Sequence, residues 1–322
     1  MAKSPAEKLA SKRQALIERT ALALNLPQNE AATLLRTGRQ QSLRLNPLRG
    51  NVQATLAELQ NTGWQGTQYE WMPEGYTITN APEIVRDCLA TTEGRVFIQN
   101  AASWLPVLAL QPQPGDTILD VCAAPGGKTC HIAAIAQNQA AITANDNSRP
   151  RLSKMRANFG RLGVTNAETT LYDATQIARK MDGRTFDKIL LDAPCSGEGM
   201  MLLDRDKDFA TWSVAHIKRL QQLQKKILVQ AWHLLKPGGT LVYSTCTMAP
   251  EENEAVIDYL LRTQKTARIA PFAPDLPNRV PAVREWNGKK FDERTQACLR
   301  LAPSPHIEAF FVCKIVKEQE TE

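Results

Sequence analysis

From Thr117 to the C-terminus the chain alternates two patterns that few folds accommodate together. The apolar runs T-I-L-D-V-C, A-I-T-A-N-D, E-T-T-L-Y-D, F-D-K-I-L-L-D and T-L-V-Y-S-T-C are separated by stretches of helical character. One helix is expected from Gly127, one over Ser148 to Leu162, and a long one from about Phe209 to Leu235 ahead of the turn K-P-G-G. Strands that are apolar nearly throughout are buried on both faces, and strand–helix alternation supplies the helices that cover them. The pattern predicts a doubly wound, mostly parallel α/β sheet. A-C-L-R-L and A-F-F-V-C-K-I-V, near the end, read as a pair of edge strands.

A different texture precedes Q-P-Q-P-G-D at 111–116, which reads as a domain boundary. Ser4-Pro5-Ala6-Glu7 is a capping box with Pro at the first helical position, followed by Leu9, Leu16 and Ala23 at helical spacing. Pro27 opens a second short helix, with its stop expected at Gly38. Leu43 to Leu45 reads as a strand, Val52 to Asn61 as a helix, and Trp64 to Thr79 as one or two strands. Three parts result: N-terminal helices over 1–40, a small α+β unit over 41–111, and the α/β domain over 112–322.

At 322 residues the chain is long enough for a sizeable core. Its 39 Lys and Arg against 33 Asp and Glu give a charge of +6, which permits a polyanionic partner without requiring one. No apolar run approaches the ~20 residues of a membrane span, and the first ten residues lack a signal-peptide core. The expectation is a cytoplasmic protein with no membrane partner and a monomer as the default. Seven cysteines, scattered and without a C-x-x-C pair, point away from disulfides and from a metal site, and leave free thiols as nucleophiles.

Doubly wound sheets bind ligands beyond the carboxyl ends of their strands. The first run leads into C-A-A-P-G-G-K-T, which lacks both G-x-G-x-x-G and the first glycine of a Walker A loop. What remains is a Gly-rich turn that lets backbone approach a nucleoside. Asp146, 20 residues beyond Gly126, is placed to accept from a ribose diol, and Asp173 to meet an adenine edge. The fourth run ends D-A-P-C-S-G-E-G and the fifth S-T-C-T-M-A-P-E-E-N-E. Neighbouring strands would bring Cys195 and Cys246 to one crevice. Cys88, Cys130, Cys298 and Cys313 read as inert core thiols, and Glu251, Glu252 and Glu254 as partners for the start of the next helix.

Taken together, D-V-C-A-A-P-G-G-K-T, D-A-P-C-S-G-E-G and Y-S-T-C-T-x-x-P-E-E-N-E resemble the Nol/Nop/Sun (RsmB/NOP) family of S-adenosylmethionine-dependent RNA cytosine-5 methyltransferases. The likeness extends from about Leu43 to the C-terminus and includes F-I-Q-N-A-A-S-W-L-P-V-L-A-L. It implies a seven-strand class I methyltransferase domain preceded by a unit similar to an RNA-recognition motif. It also implies S-adenosyl-L-methionine as cofactor and RNA, ribosomal or transfer, as partner. Residue by residue, the family's cofactor loop falls on Cys122, Ala123, Ala124, Pro125, Gly126, Gly127 and Lys128, its ribose acid on Asp146 and its adenine-side acid on Asp173. The active-site acid falls on Asp192, the auxiliary thiol on Cys195 and the nucleophile on Cys246. Asn100 stands where the family usually has an acid, and Ala309 where it has Gly.

The chemistry suits these residue types. Carbon 5 of cytosine is a poor nucleophile until a thiolate adds to carbon 6, and Cys ionises and attacks readily. That step is assigned to Cys246, stabilisation of the ring charge to Asp192, and release to Cys195. A rival assignment makes Cys195 the nucleophile, as the Pro-Cys dipeptide does in DNA cytosine-5 methyltransferases. Two other functions stay open from sequence: a non-catalytic RNA-binding or ribosome-assembly factor, and a methyltransferase acting on DNA or protein. Lys12, Arg13, Arg19, Arg36, Arg39, Arg44, Arg149, Arg151, Lys154, Arg156 and Arg161 are candidate phosphate contacts, though solvated helix faces account for most. Arg151, one turn past Asp146, stands out as near the expected cofactor.

Overall fold

The computed structural model describes residues 4–319. Helices α1 (Pro5–Leu24) and α2 (Gln28–Arg36) form a hairpin. Ser4 caps α1 reciprocally with Glu7, while α2 stops two residues short of Gly38. Then come β1 (Gln41–Leu45), α3 (Val52–Asn61), β2 (Gln68–Tyr69), β3 (Met72–Ile78), α4 (Pro82–Asp87), α5 (Leu89–Thr92) and β4 (Val96–Ile98). These strands make a four-stranded sheet in the order β2-β3-β1-β4. Leu43, Leu45, Leu59, Tyr76, Val85 and Val96 form its core.

A 3₁₀ turn at 101–104 leads into α6 (Leu105–Leu110), and the large sheet begins. Its strands and helices follow as β5 (Thr117–Asp120), α7 (Gly127–Ile135), β6 (Ala141–Asn145), α8 (Arg149–Leu162), β7 (Ala167–Thr170), α9 (Ile177–Lys180), β8 (Phe186–Asp192), α10 (Val214–Leu234), β9 (Leu235–Thr245) and α11 (Glu254–Thr263). The chain closes with β10 (Ala267–Ile269), β11 (Arg279–Val280), the hairpin β12 (Glu285–Trp286) and β13 (Lys289–Lys290), β14 (Leu299–Leu301) and β15 (Phe310–Lys317). The sheet order is β11-β14-β15-β9-β8-β5-β6-β7, with β10 beside β15. β7, β6, β5, β8 and β9 are parallel, and β15 runs antiparallel to β9. Adjacent residues on the central strands face opposite layers: Leu119, Leu191 and Tyr243 pack with α9, α10 and α11, while Ile118, Leu190 and Val242 pack with α6 and α7. Both faces are therefore buried, as continuous apolar strands require.

Several expectations are corrected. The residues just before Q-P-Q-P-G-D do not belong to a separate core: Trp104, Leu105, Val107 and Leu110 pack with Ile118, Val242 and Val312 on one face of the large sheet. K-P-G-G is not a turn ahead of the fifth strand but lies inside β9, where the pairing with β8 shifts register and Gly238 takes a φ of 80°. A-F-F-V-C-K-I-V is not an edge strand, because β15 sits between β9 and β14. The long helix starts at Val214, capped by Ser213, after a separate 3₁₀ turn at 206–209. Among the described residues no helix is long and apolar enough to cross a membrane.

Candidate active site

The turn between β5 and α7 forms the floor of a cavity of about 280 Å³ lined by Cys122, Ala123, Ala124, Pro125, Gly127, Lys128 and Asp192. Phe97, Ile98, Gln99, Ser103 and Asp120, to which sequence reasoning gave no site role, complete it. The two glycines serve packing more than open approach. Gly126 has a φ of 98°, and a Cβ there would lie 2.8 Å from Met155 Cγ on α8; a Cβ on Gly127 would meet Phe97 and Gln99 at 3.0 Å. Both glycines are thus also needed for packing against α8 and the small sheet's last strand, while the turn itself lines the cavity.

Asp120, the last residue of β5, is 1% exposed. Thr129 Oγ1 donates to its Oδ2 at 2.7 Å, and Oδ1 has no partner. Burial pushes this carboxyl up to about 7, despite the Thr129 hydroxyl. Asp146, buried after β6, accepts from Ser148 N–H at 3.0 Å and pairs with Arg151 at 3.0 Å. Arg151 also donates to the Ala124 carbonyl, so it braces the loop from the side. Asp173 lies three residues beyond the end of β7, is exposed, and caps a 3₁₀ turn by accepting from Thr175 N–H and Oγ1. Neither Asp146, Arg151 nor Asp173 lines the cavity.

β8 and β9 are parallel neighbours, with Asp192 in register with Ser244. Residues a few positions beyond that pair therefore leave adjacent strands side by side. Cys195 Sγ and Cys246 Sγ lie 3.4 Å apart. The hydrogen bond between them, with burial, pushes the Cys195 thiol up, so Cys195 keeps its proton. Asp192 accepts from Lys128 Nζ at Oδ2 and from Ser244 Oγ at Oδ1, each at 2.8 Å. Burial pulls the Lys128 ammonium down, but the Asp192 charge and hydrogen bond, with smaller contributions from Cys246 and Asp120, together outweigh it and hold Lys128 above its ordinary value. A cation, a carboxylate and two thiols thus converge where β5, β8 and β9 end.

Beside this group lies a second cavity, of about 460 Å³, which shares Ile98 and Gln99 with the first and adds Arg39, Asn100, Arg205 and Glu308. Burial pushes Glu308 up to about 7, and it feels the charges of Arg39, Lys128 and Asp192. Glu308 precedes Ala309 in E-A-F-F, the motif that could have revealed it.

The run Glu251 to Glu254 does not cap α11 as expected. Glu251 pairs with Arg19 at 2.8 Å, Glu254 with Arg300 at 3.0 Å, and Glu252 accepts from Ser196 N–H at 3.0 Å. The basic residues of α1 also face inward: Lys12 Nζ donates to the Phe209 carbonyl at 2.6 Å and Arg13 pairs with Asp206 at 2.6 Å. Lys12, Arg13 and Arg19 thus hold α1 to the body, which removes them from the candidate phosphate contacts; Arg44 lies on a separate cavity between β1 and α7. Arg161 stacks on Phe97 and donates to the Thr91 carbonyl. Of the four cysteines read as core, Cys130, Cys298 and Cys313 are buried, while Cys88 is half-buried and bonds the Val85 carbonyl. Among the described residues no group of three or more His, Cys, Asp or Glu is arranged to hold a metal ion.

Comparison with known proteins identifies relatives over most of the chain. A tRNA (cytosine(49)-C(5))-methyltransferase of Pyrococcus abyssi is 38% identical over 280 residues, covering 86% of this chain and 88% of the relative. A ribosomal RNA small subunit methyltransferase F of Aeromonas salmonicida is 40% identical over 243 residues, covering 74% and 51%; the chain spans about half the length of that relative. The crystal structure of a methyltransferase homolog protein from Pyrococcus horikoshii superposes with a TM-score of 0.79 at 32% identity, over 95% of this chain and 99% of the other. NSun6 from the same organism shares the fold, with a TM-score of 0.79 at 24% identity over 95% and 98%. Residues 107–316 match the family described as 16S rRNA methyltransferase RsmB/F, and to that family the chain belongs.

Proposed function

We propose that the protein methylates carbon 5 of a cytosine in structured RNA, ribosomal or transfer, with Cys246 as nucleophile, Cys195 as the thiol that assists release, and S-adenosyl-L-methionine as cofactor. The observation that carries this reading is the 3.4 Å approach of two thiols from adjacent strand ends, beside the Lys128–Asp192 pair. Relatives named for a tRNA cytosine C5 and for small-subunit ribosomal RNA support the substrate class.

The residues fit the cofactor. Asp120 keeps one oxygen unpartnered on the cavity wall, the Cys122–Lys128 turn forms the floor, and Asp120 with Asp192 suits a cationic sulfonium ligand. Asp146 would take the ribose only if Arg151 yields its place, and Asp173 the adenine side. When bound, S-adenosylmethionine supplies an electrophilic methyl group.

Cys246 as thiolate adds to carbon 6, and the electron pair moves into the ring toward N3 and O2. Asp192 faces the cytosine N3 and exocyclic amine, donating to N3 when it holds a proton and accepting from the amine, and the Lys128 charge on its far side stabilises the electron-rich ring. Carbon 5, now nucleophilic, would form the new bond to the methyl group as the methyl–sulfur bond breaks and its electron pair stays on the sulfur, which leaves as a neutral thioether. Loss of the carbon 5 proton to a base then expels Cys246 as thiolate. The Cys195 thiol, which holds its proton 3.4 Å away, hydrogen-bonds the departing sulfur. Cytosine in a duplex is shielded, so the enzyme takes an unpaired or flipped base. The cavity holding Asn100 and Glu308 is the space for it, with the 41–111 unit as the RNA-facing part.

Cys195→Ala is expected to accumulate a covalent protein–RNA adduct on a denaturing gel. Cys246→Ala is expected to show neither adduct nor tritiated methyl in RNA. The opposite pattern, or label in DNA or protein instead of RNA, refutes the proposal.

A further inference from the structure

Strand β1 sends alternate side chains to opposite sides. Leu43 and Leu45 enter the core of the small sheet, whereas Arg44 points into a cavity of about 700 Å³ that also takes in His131 of α7. Arg44 is 1% exposed and its guanidinium makes no hydrogen bond or ion pair among the described residues; Nε is wholly enclosed without a partner. His131 is 2% exposed, and neither of its ring nitrogens has a partner. The rest of the wall is largely apolar, with Leu48, Leu108 and Ile135. Buried cations in folded proteins are paired and buried ring nitrogens are bonded, because burial without a partner forfeits hydration. Two such groups on one cavity form a set of donors that lacks an acceptor.

Their protonation states sharpen this. Burial pulls the Arg44 guanidinium down to about 10, so it stays positive at neutral pH. Burial and the Arg44 charge hold His131 well below its ordinary value, which leaves a neutral imidazole able to donate one N–H. Glu74, also on the cavity wall, is the acid whose charge reaches Arg44. It forms no ion pair with it.

We propose that the cavity between β1 and α7 is a binding site for a phosphate group, gripped by the Arg44 guanidinium with a further hydrogen bond from His131. A guanidinium presents two parallel N–H donors that match two oxygens of a phosphate, and a tetrahedral anion leaves another oxygen for the imidazole. The phosphate comes either from a small free molecule or from the backbone of bound RNA. His131 lies one helical turn beyond Gly127 in the cofactor loop, so an occupied site braces the helix on which that loop is built. The site is separate from the thiols and does not depend on the reaction proposed for them.

The test is a titration of the full chain with inorganic phosphate, against chloride at matched ionic strength, followed by the imidazole proton NMR signals of its four histidines. The His131 signal is identified by its loss in His131→Asn. It should shift saturably with millimolar phosphate, not with chloride, and the shift should vanish in Arg44→Met. Glu74→Gln removes the competing acid and should tighten phosphate several-fold, which keeps the test decisive if Arg44→Met does not fold. If RNA supplies the phosphate, unlabelled RNA reverses the shift and Arg44→Met lowers the salt slope of RNA binding by about one. If a small molecule supplies it, RNA leaves the shift in place. An equal response to chloride, or a phosphate response that neither variant alters, overturns the proposal.

Discussion

Glu252→Gln tests how the loops carrying the two thiols are held together. The Glu252 carboxylate accepts from Ser196 N–H at 3.0 Å, from the Ser196 hydroxyl, and from Gln224 Nε2 at 2.8 Å. Burial nevertheless pushes it from 4.5 up to about 7, the Ser196 and Gln224 donors offsetting only part of the cost. The folded protein therefore holds this proton more tightly than the unfolded chain does. Its stabilising contribution is full below the unfolded value and is lost as pH rises through the folded one. At about 1.4 kcal/mol per pH unit, ionised Glu252 costs the fold about 3 kcal/mol, most of it between about pH 5 and about pH 8. Glutamine keeps the shape. With its carbonyl oxygen toward Ser196 N–H and Gln224, its amide faces Ser196 Oγ, whose own proton can turn to Thr247 Oγ1 at 2.8 Å. Urea unfolding of both proteins at the two pH values should show the wild type losing about 2–3 kcal/mol more than the variant. Asp120 and Glu308, also raised to about 7, are present in both proteins and cancel in the comparison. Parallel pH profiles for the two proteins would refute the reasoning.

Arg300→Met should cost about 3–5 kcal/mol in urea unfolding, because it leaves Glu254 buried without its cation and the Met248 carbonyl without its donor. Gly126→Ala places a side chain at a φ of 98° and a Cβ 2.8 Å from Met155, and should lower stability by about 1–3 kcal/mol in a thermal melt. Lys128→Met leaves Asp192 with Ser244 alone; methyl transfer should fall about 100-fold in kcat while circular dichroism stays unchanged. Equal activity would remove the Lys128 charge from the mechanism.

The strands and helices around the site were readable because their signals are local. The apolar runs from Thr117 to Thr245 can be buried only by helices on both faces, and Ser4 and Asn51 accept from the backbone at their helix starts, whereas the Ser213 cap does not stand out in the sequence and the long helix is expected too early. The convergence of Cys195 and Cys246 also followed, since it needs only that β8 and β9 be neighbours. What sequence could not reveal depends on long-range packing. Gln99 and Glu308 reach the site from β4's end and from the loop before β15, more than 90 residues from the thiols in the case of Gln99. Asp173 has the same spacing logic as Asp146, yet only Asp146 is drawn under the loop, because the chain runs on three residues past β7 before the acid. The basic residues of α1 look like a solvated stripe until Phe209, Asp206 and Glu251 are brought against them.

The P-E-E-N-E run is where fold and chemistry meet. Four consecutive side chains, each buried, tie down four different parts of the molecule. Glu251 holds Arg19 of α1, and Glu252 holds Ser196 beside Cys195. Asn253 Nδ2 donates to the Thr247 carbonyl at 2.9 Å and its Oδ1 accepts from Thr245, on either side of Cys246. Glu254 holds Arg300 of β14. The nucleophile proposed at Cys246, which would add to a ring and then leave it, needs a fixed position relative to a second thiol, and a loop by itself does not supply one. Here both neighbours of Cys246 are bound to Asn253 and the residue after Cys195 is bound to Glu252, so the 3.4 Å between the sulfurs is set by two adjacent residues of one turn. Charge-bearing side chains at such buried positions are costly unless each finds a partner, so releasing any one of the four from its partner leaves an unpaired buried polar group and loosens the turn that sets the thiols.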